Sequence, residues 1–442
     1  IQTLFLAFYK GDGTTPLYIK EAISENDGNY LVSIDIDPLN VPDRVIAYAN
    51  FSGETGLDNA IASTPSTITD ILPNSDGCFK MSSAVYFDDG KLVNYSSVTS
   101  ENIYGGKSID IYLDKIAAKV TVAKGEAAKM PTLTVNEDET LDMDIISWGL
   151  TGTDKSSYLL KQISSSSFNL NWAKKDYSLS WAESVNHGKF LNAIDIDRIT
   201  LGGANLSLSY SIYSHETTRN EEEIQLPNSK PSIILVGEYK KNGTEIGTFY
   251  RLRSGDKNQI YVEAEFIQKI ALDKDILFVK SADGSIKNAG LSDIQKALTL
   301  STPSIEGKNI PDYGVTPQLK PESEISDISF CDSKGNGYNR DVLNSLLCNR
   351  YGILEKYNEG KCVFIVPIVH DQENNIYGLV RNHIYTLTIK SITGFGRGIT
   401  DDTSIISEET IPELESTYTI NSTLHVNSWT EIGQDINITP SE

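Results

Sequence analysis

Hydrophobic and polar residues alternate with a period of two along much of the chain, the pattern of half-buried β-strands. Tyr30-Leu31-Val32-Ser33-Ile34-Asp35-Ile36-Asp37 is such a run, stopped by Pro38, and Arg44-Val45-Ile46-Ala47-Tyr48-Ala49 is another, ending before the turn residues Ser52-Gly53. Ala84–Phe87 and Lys91–Val93 flank Asp88-Asp89-Gly90 and predict a hairpin. Ser108–Leu113 leads into Ile116–Val122, long enough for one bent strand or two. Leu141–Leu150 predicts the closing strand of the first domain, with Trp148 as its packing anchor. Farther on, Asn242-Gly243 stands between the strand-like runs Ser232–Tyr239 and Gly247–Leu252. Both central residues tolerate positive φ, which makes this the strongest hairpin signal in the sequence.

Helical patterns are few. Ser292–Leu300 places Ile294, Ala297 and Leu298 on one face behind Ser292 as N-cap, and Asp341–Cys348 carries apolar Val342, Leu343, Leu346 and Leu347. Both are too short to define a helical layer. The expected class is therefore all-β, as two β-sandwiches with short helical insertions. The serine-rich stretch Ser156–Ser167 has no period and marks a junction. This divides the chain into an N-terminal domain over 1–160, a C-terminal domain over 161–420 and a terminal segment over 421–442. In that last segment Leu424, Val426 and Ser428 share one face and His425, Asn427 and Trp429 the other; Ile432, Ile436 and Ile438 follow after Thr430-Glu431. On these residues alone, the segment is the last strand of its own domain's sheet.

Composition narrows the class further. At 442 residues, with 39% hydrophobic and 22% charged, the chain can bury more than one core. The net charge of −22 opposes a phosphate backbone, and the densest basic cluster is the pair Lys240-Lys241, so no nucleic-acid partner is expected. No apolar run reaches the roughly 18 residues of a membrane-spanning helix. The longest, Cys362–Val369, is interrupted by Pro367 and has the length of a strand. The opening Ile1-Gln2-Thr3-Leu4-Phe5-Leu6 lacks an initiator Met and reads as a strand, which predicts a leader removed ahead of Ile1. Cys78, Cys331, Cys348 and Cys362 are too few for a disulfide scaffold and include no C-x-x-C. Buried free thiols are expected, with one bridge in the C-terminal half as the alternative.

Fragments that resemble catalytic motifs fail on their neighbours. Gly106-Lys107-Ser108 has Glu101 where a phosphate loop needs its first glycine, and a strand pattern follows it. Asp332–Gly337 has Lys334 at a calcium-ligand position and Leu343 where a bidentate Glu is required, so a turn explains it. Gly394–Gly398 lacks a following helix and reads as a loop between strands. His187, His215, His370, His383 and His425 have no ligand spacing. Asp35 with Asp37, and Asp195 with Asp197, are explained by a solvated strand face. A non-enzymatic protein without metal or cofactor is expected.

Two stretches carry a family signature. Val363-Phe364-Ile365-Val366-Pro367-Ile368-Val369-His370 is followed by Tyr377-Gly378-Leu379-Val380-Arg381-Asn382-His383-Ile384-Tyr385-Thr386-Leu387-Thr388-Ile389 and the glycine-bearing turn 394–398. Upstream, Met81-Ser82-Ser83-Ala84-Val85 precedes Ile116–Val122, and Trp148 with Tyr158-Leu159 looks like an interdomain passage. These resemble the fimbrial subunits of Bacteroidales, the type V pilins, and especially the shaft subunit of short fimbriae. Cys362, where an aromatic is expected, departs from the family.

The resemblance implies transthyretin-like sandwiches and a structural role for Arg381, Asn382 and His383. It implies a precursor exported through the outer membrane as a lipoprotein, with an N-terminal strand removed by proteolysis so that Ile1 is the processing edge. The opened N-terminal domain then offers an acceptor groove, filled by the C-terminal strand of the next subunit. Here that donor is Leu424, Val426, Trp429, Ile432, Ile436 and Ile438, with Ile432–Ile438 the lent portion and the break near Trp429. Partners would be identical or related subunits joined head to tail in an extracellular fimbrium, and a receptor on a host or bacterial surface. The alternative is a tip subunit or glycan-binding adhesin that does not form the shaft.

Overall fold

The computed structural model describes residues 1–25, 29–53, 56–58, 61, 66–88, 91–135, 139–162, 182–189, 196–197, 200–201, 209–219, 230–254, 257–303, 310, 313–325, 328–371, 376–400, 419–428 and 432–440. The alternating N-terminal segments form one curled sheet. Its order is Tyr18–Glu21, Leu4–Tyr9, Arg44–Ala49, Met81–Ser83, Ile109–Lys115, Ile432–Pro440, Tyr30–Ile34 and Ile23–Ser24, with Ser96–Ser97 also paired to Arg44–Ala49. Tyr30, Val32 and Ile34 bury one face of their strand, and Ile109, Ile111 and Leu113 do the same on theirs. These six pack in one cluster with Leu4, Leu6 and Phe8, and Tyr18 closes it, so the sheet wraps around its own core. Leu4–Tyr9 is buried at all six positions because its other face, Phe5, Ala7 and Tyr9, packs with Ile71, Ile116, Ala117 and Leu159.

The chain leaves this sheet through Ile116-Ala117 and enters a sandwich. One layer has the order Ile212–Ser214, Ala118–Lys129, His383–Thr393, Thr419–Ser428; the facing layer contains Thr132–Val135, Glu139–Thr151, Ser232–Lys241, Lys361–Pro367 and Arg397–Gly398 in that order. Val120, Val122, Leu387 and Ile389 from the first meet Trp148, Leu235, Tyr239 and Phe364 from the second. Trp148 is fully buried, edge-on to Tyr210 at 5.7 Å. Strands 118–151 thus belong to the second sandwich although they precede residue 160.

Local signals were followed to different extents. Tyr86–Asp88 pairs with Lys91–Val93 as the hairpin pattern predicts. At Asn242-Gly243 (φ 52° and 77°) the turn forms, but its second strand, Thr244–Glu245, is two residues long. Phe249–Ser254 then joins a separate five-stranded sheet with Lys257–Tyr261, Leu354–Tyr357, Gly314–Leu319 and Leu298–Ser301. Helices Glu263–Leu272, Leu291–Ala297 and Arg340–Tyr351 pack on that sheet through Phe266, Ile270, Ile294, Leu343 and Leu347. All three lie inside an insertion between the paired strands Ser232–Lys241 and Lys361–Pro367. Glu263–Leu272 is a further helix that the periodicity did not mark, and its buried residues 266, 267, 270 and 271 have helical spacing. Ser292 is not an N-cap; Gly290 is, its N–H donating to Asp293 Oδ2 at 2.9 Å. All four cysteines are unbridged, three of them buried.

One glycine tests the sandwich edge. A Cβ at Gly398 would lie 2.1 Å from the backbone oxygen of Lys356, which cannot withdraw without breaking its own strand. Gly398→Ala is expected to lower unfolding free energy by about 1–3 kcal/mol. Gly337→Ala, with open space at its Cβ, should stay within about 0.5 kcal/mol of the parent. Urea unfolding of both variants checks the contrast.

Candidate functional site

Ile432–Pro440 lies inside the N-terminal sheet, although the strand before it, Thr419–Ser428, belongs to the second sandwich. It runs antiparallel to Ile109–Lys115, with Ile432 opposite Leu113 and Ile436 opposite Ile109. On its other side it runs parallel to Tyr30–Ile34, with Ile436 opposite Tyr30 and Ile438 opposite Val32. Positions 432, 436 and 438 are therefore in register with residues of the N-terminal core. The three residues 429–431 separate the two strands, and Trp429 lies outside the described residues.

Leu424 and Val426 stand in a different place. They pair opposite Leu387 and Tyr385 on the outer edge of the second sandwich, where Leu424 packs against its core. Of the six donor positions named from the sequence, the five described ones are thus divided between two sheets. Ile1 is 37% exposed, just ahead of Leu4–Tyr9.

The sheet of Ile109–Lys115 and the second sandwich meet at a buried polar network that the sequence pattern does not show. Arg381 is fully buried, and its guanidinium donates to Glu216 Oε1 at 3.1 Å and Oε2 at 3.0 Å. It also donates to Tyr158 O at 2.6 Å, Leu159 O at 3.4 Å and Ser82 Oγ at 3.5 Å, so one side chain reaches both domains and the passage between them. Asn382 adopts φ 57°, its N–H donates to Ala117 O at 2.9 Å, and its side chain donates to Asp114 Oδ1 at 2.9 Å. Alternation puts Asp114 with Asp110 and Tyr112 on the outer face of its strand. It is nonetheless buried, because Lys161 covers this end and pairs with it at 3.5 Å. A second fully buried ion pair, Arg219 with Asp154, is flanked by Ser184 and Thr218.

Histidines line the same region. His383 Nδ1–H donates to Arg381 O at 2.8 Å. Val380 N–H donates to Tyr385 Oη at 2.7 Å, leaving the hydroxyl hydrogen for His370 Nδ1 at 2.8 Å. Burial, then His383, then the charge of Lys161 push His370 down to about 3. Burial also lowers His383. His215 is pushed down to about 4 by burial against the opposing pull of Asp154. Among the described residues, no group of three or more His, Cys, Asp or Glu could hold a metal. The Asp332 carboxylate accepts from the N–H groups of Lys334 and Asn336, both at 2.8 Å, which makes 332–337 an internally held turn.

Both features of the junction give measurable outcomes. The folded pKa values of His370 and His215 lie below their unfolded values, so their stabilisation is complete above about pH 6.5 and declines as pH falls toward those folded values. The loss for His370 at pH 5 is on the order of 2 kcal/mol. Urea unfolding at pH 7 and pH 5 should show it, and His370→Gln should show a smaller difference. Arg381→Met leaves Glu216 charged and unpaired in the interior, at a cost of about 3–5 kcal/mol. Arg381→Lys should recover only part, since an ammonium cannot make the forked contact.

Residues 355–435 match the family model of the C-terminal region of the major fimbrial subunit protein type IV, fimbrillin. The match takes in Lys361–Pro367, His383–Thr393, Thr419–Ser428 and the first residues of the inserted strand. No curated protein matches the chain. Among solved structures, a candidate cell adhesion protein from Parabacteroides distasonis ATCC 8503 is 12% identical with a TM-score of 0.40, covering 97% of this chain and 88% of its own. A candidate cell adhesion protein from Bacteroides eggerthii DSM 20697 is 11% identical with a TM-score of 0.32, covering 99% of this chain and 90% of its own. Neither of these two likenesses bears on function. The C-terminal match, over residues 355–435, agrees with the fimbrial resemblance carried by Val363–His370 and Tyr377–Ile389.

Proposed function

We propose that the chain is a structural subunit of cell-surface fimbriae that polymerises by exchange of its terminal strand. In this reading the lent portion is Ile432–Pro440, and Leu424 and Val426 stay with their own sandwich. The observation that carries the reading is the position of that strand: inside the sheet of one domain, reached from another domain across three residues. A neighbour's copy of the same strand would make the same two ladders, so exchange replaces each ladder bond with an identical one. The alternation of one donor and one acceptor per subunit gives a head-to-tail chain that does not close. In this reading an N-terminal strand fills the groove until proteolysis ahead of Ile1 removes it and opens the groove for assembly. A terminal donor strand favours the shaft over the tip, since a tip subunit needs only the acceptor. Adhesion then follows from the fimbrium as a whole, with related subunits as partners.

Two experiments test exchange. A chain ending at residue 431 should stay folded, form no polymer ladder on gels and bind a synthetic peptide of residues 432–442. Continued polymerisation of that chain would sink the donor assignment. Separately, Ile109→Cys in one tagged subunit and Ile436→Cys in another occupy facing positions. Oxidation should cross-link the two tags in assembled material; a bond only within doubly substituted single chains means the strand stays at home.

A further inference from the structure

Lys161, Asp114 and Asn382 form a group that strand exchange does not use. They are 1%, 5% and 4% exposed. The two oxygens of one carboxylate hold the other two side chains: Asp114 Oδ2 lies 3.5 Å from Lys161 Nζ, and Oδ1 accepts from Asn382 Nδ2 at 2.9 Å. Asn382 is fixed from behind by its positive φ and by its N–H bond to Ala117 O. Among the described residues its Oδ1 accepts no hydrogen bond, so they grip the amide through its nitrogen. A primary amine, a carboxamide and a carboxylate bridging the two are the reactants and the proton carrier of an amide exchange. Their separation from water removes competing hydrolysis, and their fixed placement replaces a slow bimolecular encounter.

We propose that Lys161 and Asn382 are a modification site, at which an intramolecular isopeptide bond forms with Asp114 as catalytic residue. Asp114 Oδ2 takes a proton from the Lys161 ammonium, which neutralises both buried charges. The freed Nζ lone pair attacks Asn382 Cγ and forms the new C–N bond. The bond from Cγ to Nδ2 then breaks, and the carboxyl of Asp114, already bound to that nitrogen, delivers the proton that lets it leave as ammonia. The attacking nitrogen gives its surplus proton to Asp114, which passes it to the departing ammonia and is left as the carboxylate it began as. The sum is one ammonium side chain and one carboxamide converted to one secondary amide and one ammonium ion, with no oxidant or reductant. The bond ties the interdomain passage at Lys161 to the start of His383–Thr393, beside the strand that holds the terminal insert.

Denatured intact-mass measurement of the full chain should fall below the sequence mass by one ammonia, and a tryptic digest should contain a branched peptide joining the segments around 161 and 382. Lys161→Met and Asp114→Ala should each restore the full mass and remove the branched peptide. An undiminished mass in the parent chain overturns the proposal. So does an ammonia loss that persists in Lys161→Met without a branched peptide, which would mark a succinimide at Asn382.

Discussion

Strands Tyr30–Ile34 and Ile109–Lys115 make no ladder with each other; Ile432–Pro440 stands between them and carries both. Everything on the far side of the N-terminal sheet depends on that strand. Without it, two rows of backbone donors and acceptors would open inside a domain whose core includes Tyr30, Val32, Ile109 and Leu113. Each lost ladder bond costs roughly 1 kcal/mol net, and more where water cannot replace it. That strand follows every other strand of the sheet in the sequence, so the sheet is completed by an element from the far side of the second sandwich.

The polar junction constrains the other end of the same crossing. Buried ion pairs such as Arg381–Glu216 and Arg219–Asp154 add little net stability over an apolar core, but a misplaced partner leaves a charge stranded. They therefore penalise alternative dockings of the domains more than they reward the native one. Asn382, held in the left-handed region, turns the chain so that Arg381 faces the passage and His383 begins the sandwich strand. The inserted strand and the junction are linked through Asp114, one residue beyond the position that pairs with Ile432.

What could be read from sequence was what local periodicity determines. The alternation at 30–34 and 109–113 gave strands, faces and core residues together, and Asn242-Gly243 gave its turn. The helix Glu263–Leu272 escaped because its N-cap is Val262, with no capping side chain; Glu265 reaches back to the Val262 N–H instead. The destination of Phe249–Ser254 is a tertiary choice that a hairpin rule cannot register. The junction was visible only as Arg-Asn-His between two apolar strands. Its acidic partners are 165 and 268 residues away, and as single acids in polar surroundings they carry no signal of burial. Thr430-Glu431 interrupts the apolar positions of the terminal segment, and the strands Thr419–Ser428 and Ile432–Pro440 lie before and after that break.

A strand flanked on both sides also has a mechanical character. A tension applied at residues 429–431 acts along the axis of Ile432–Pro440, parallel to one neighbour and antiparallel to the other. The hydrogen bonds of both ladders lie across that direction, so they bear the load together in shear. An edge strand peeled from its end would yield them one at a time. Resistance to pulling would thus rise with the whole length of the ladder, while release by lateral opening of the sheet would remain easy.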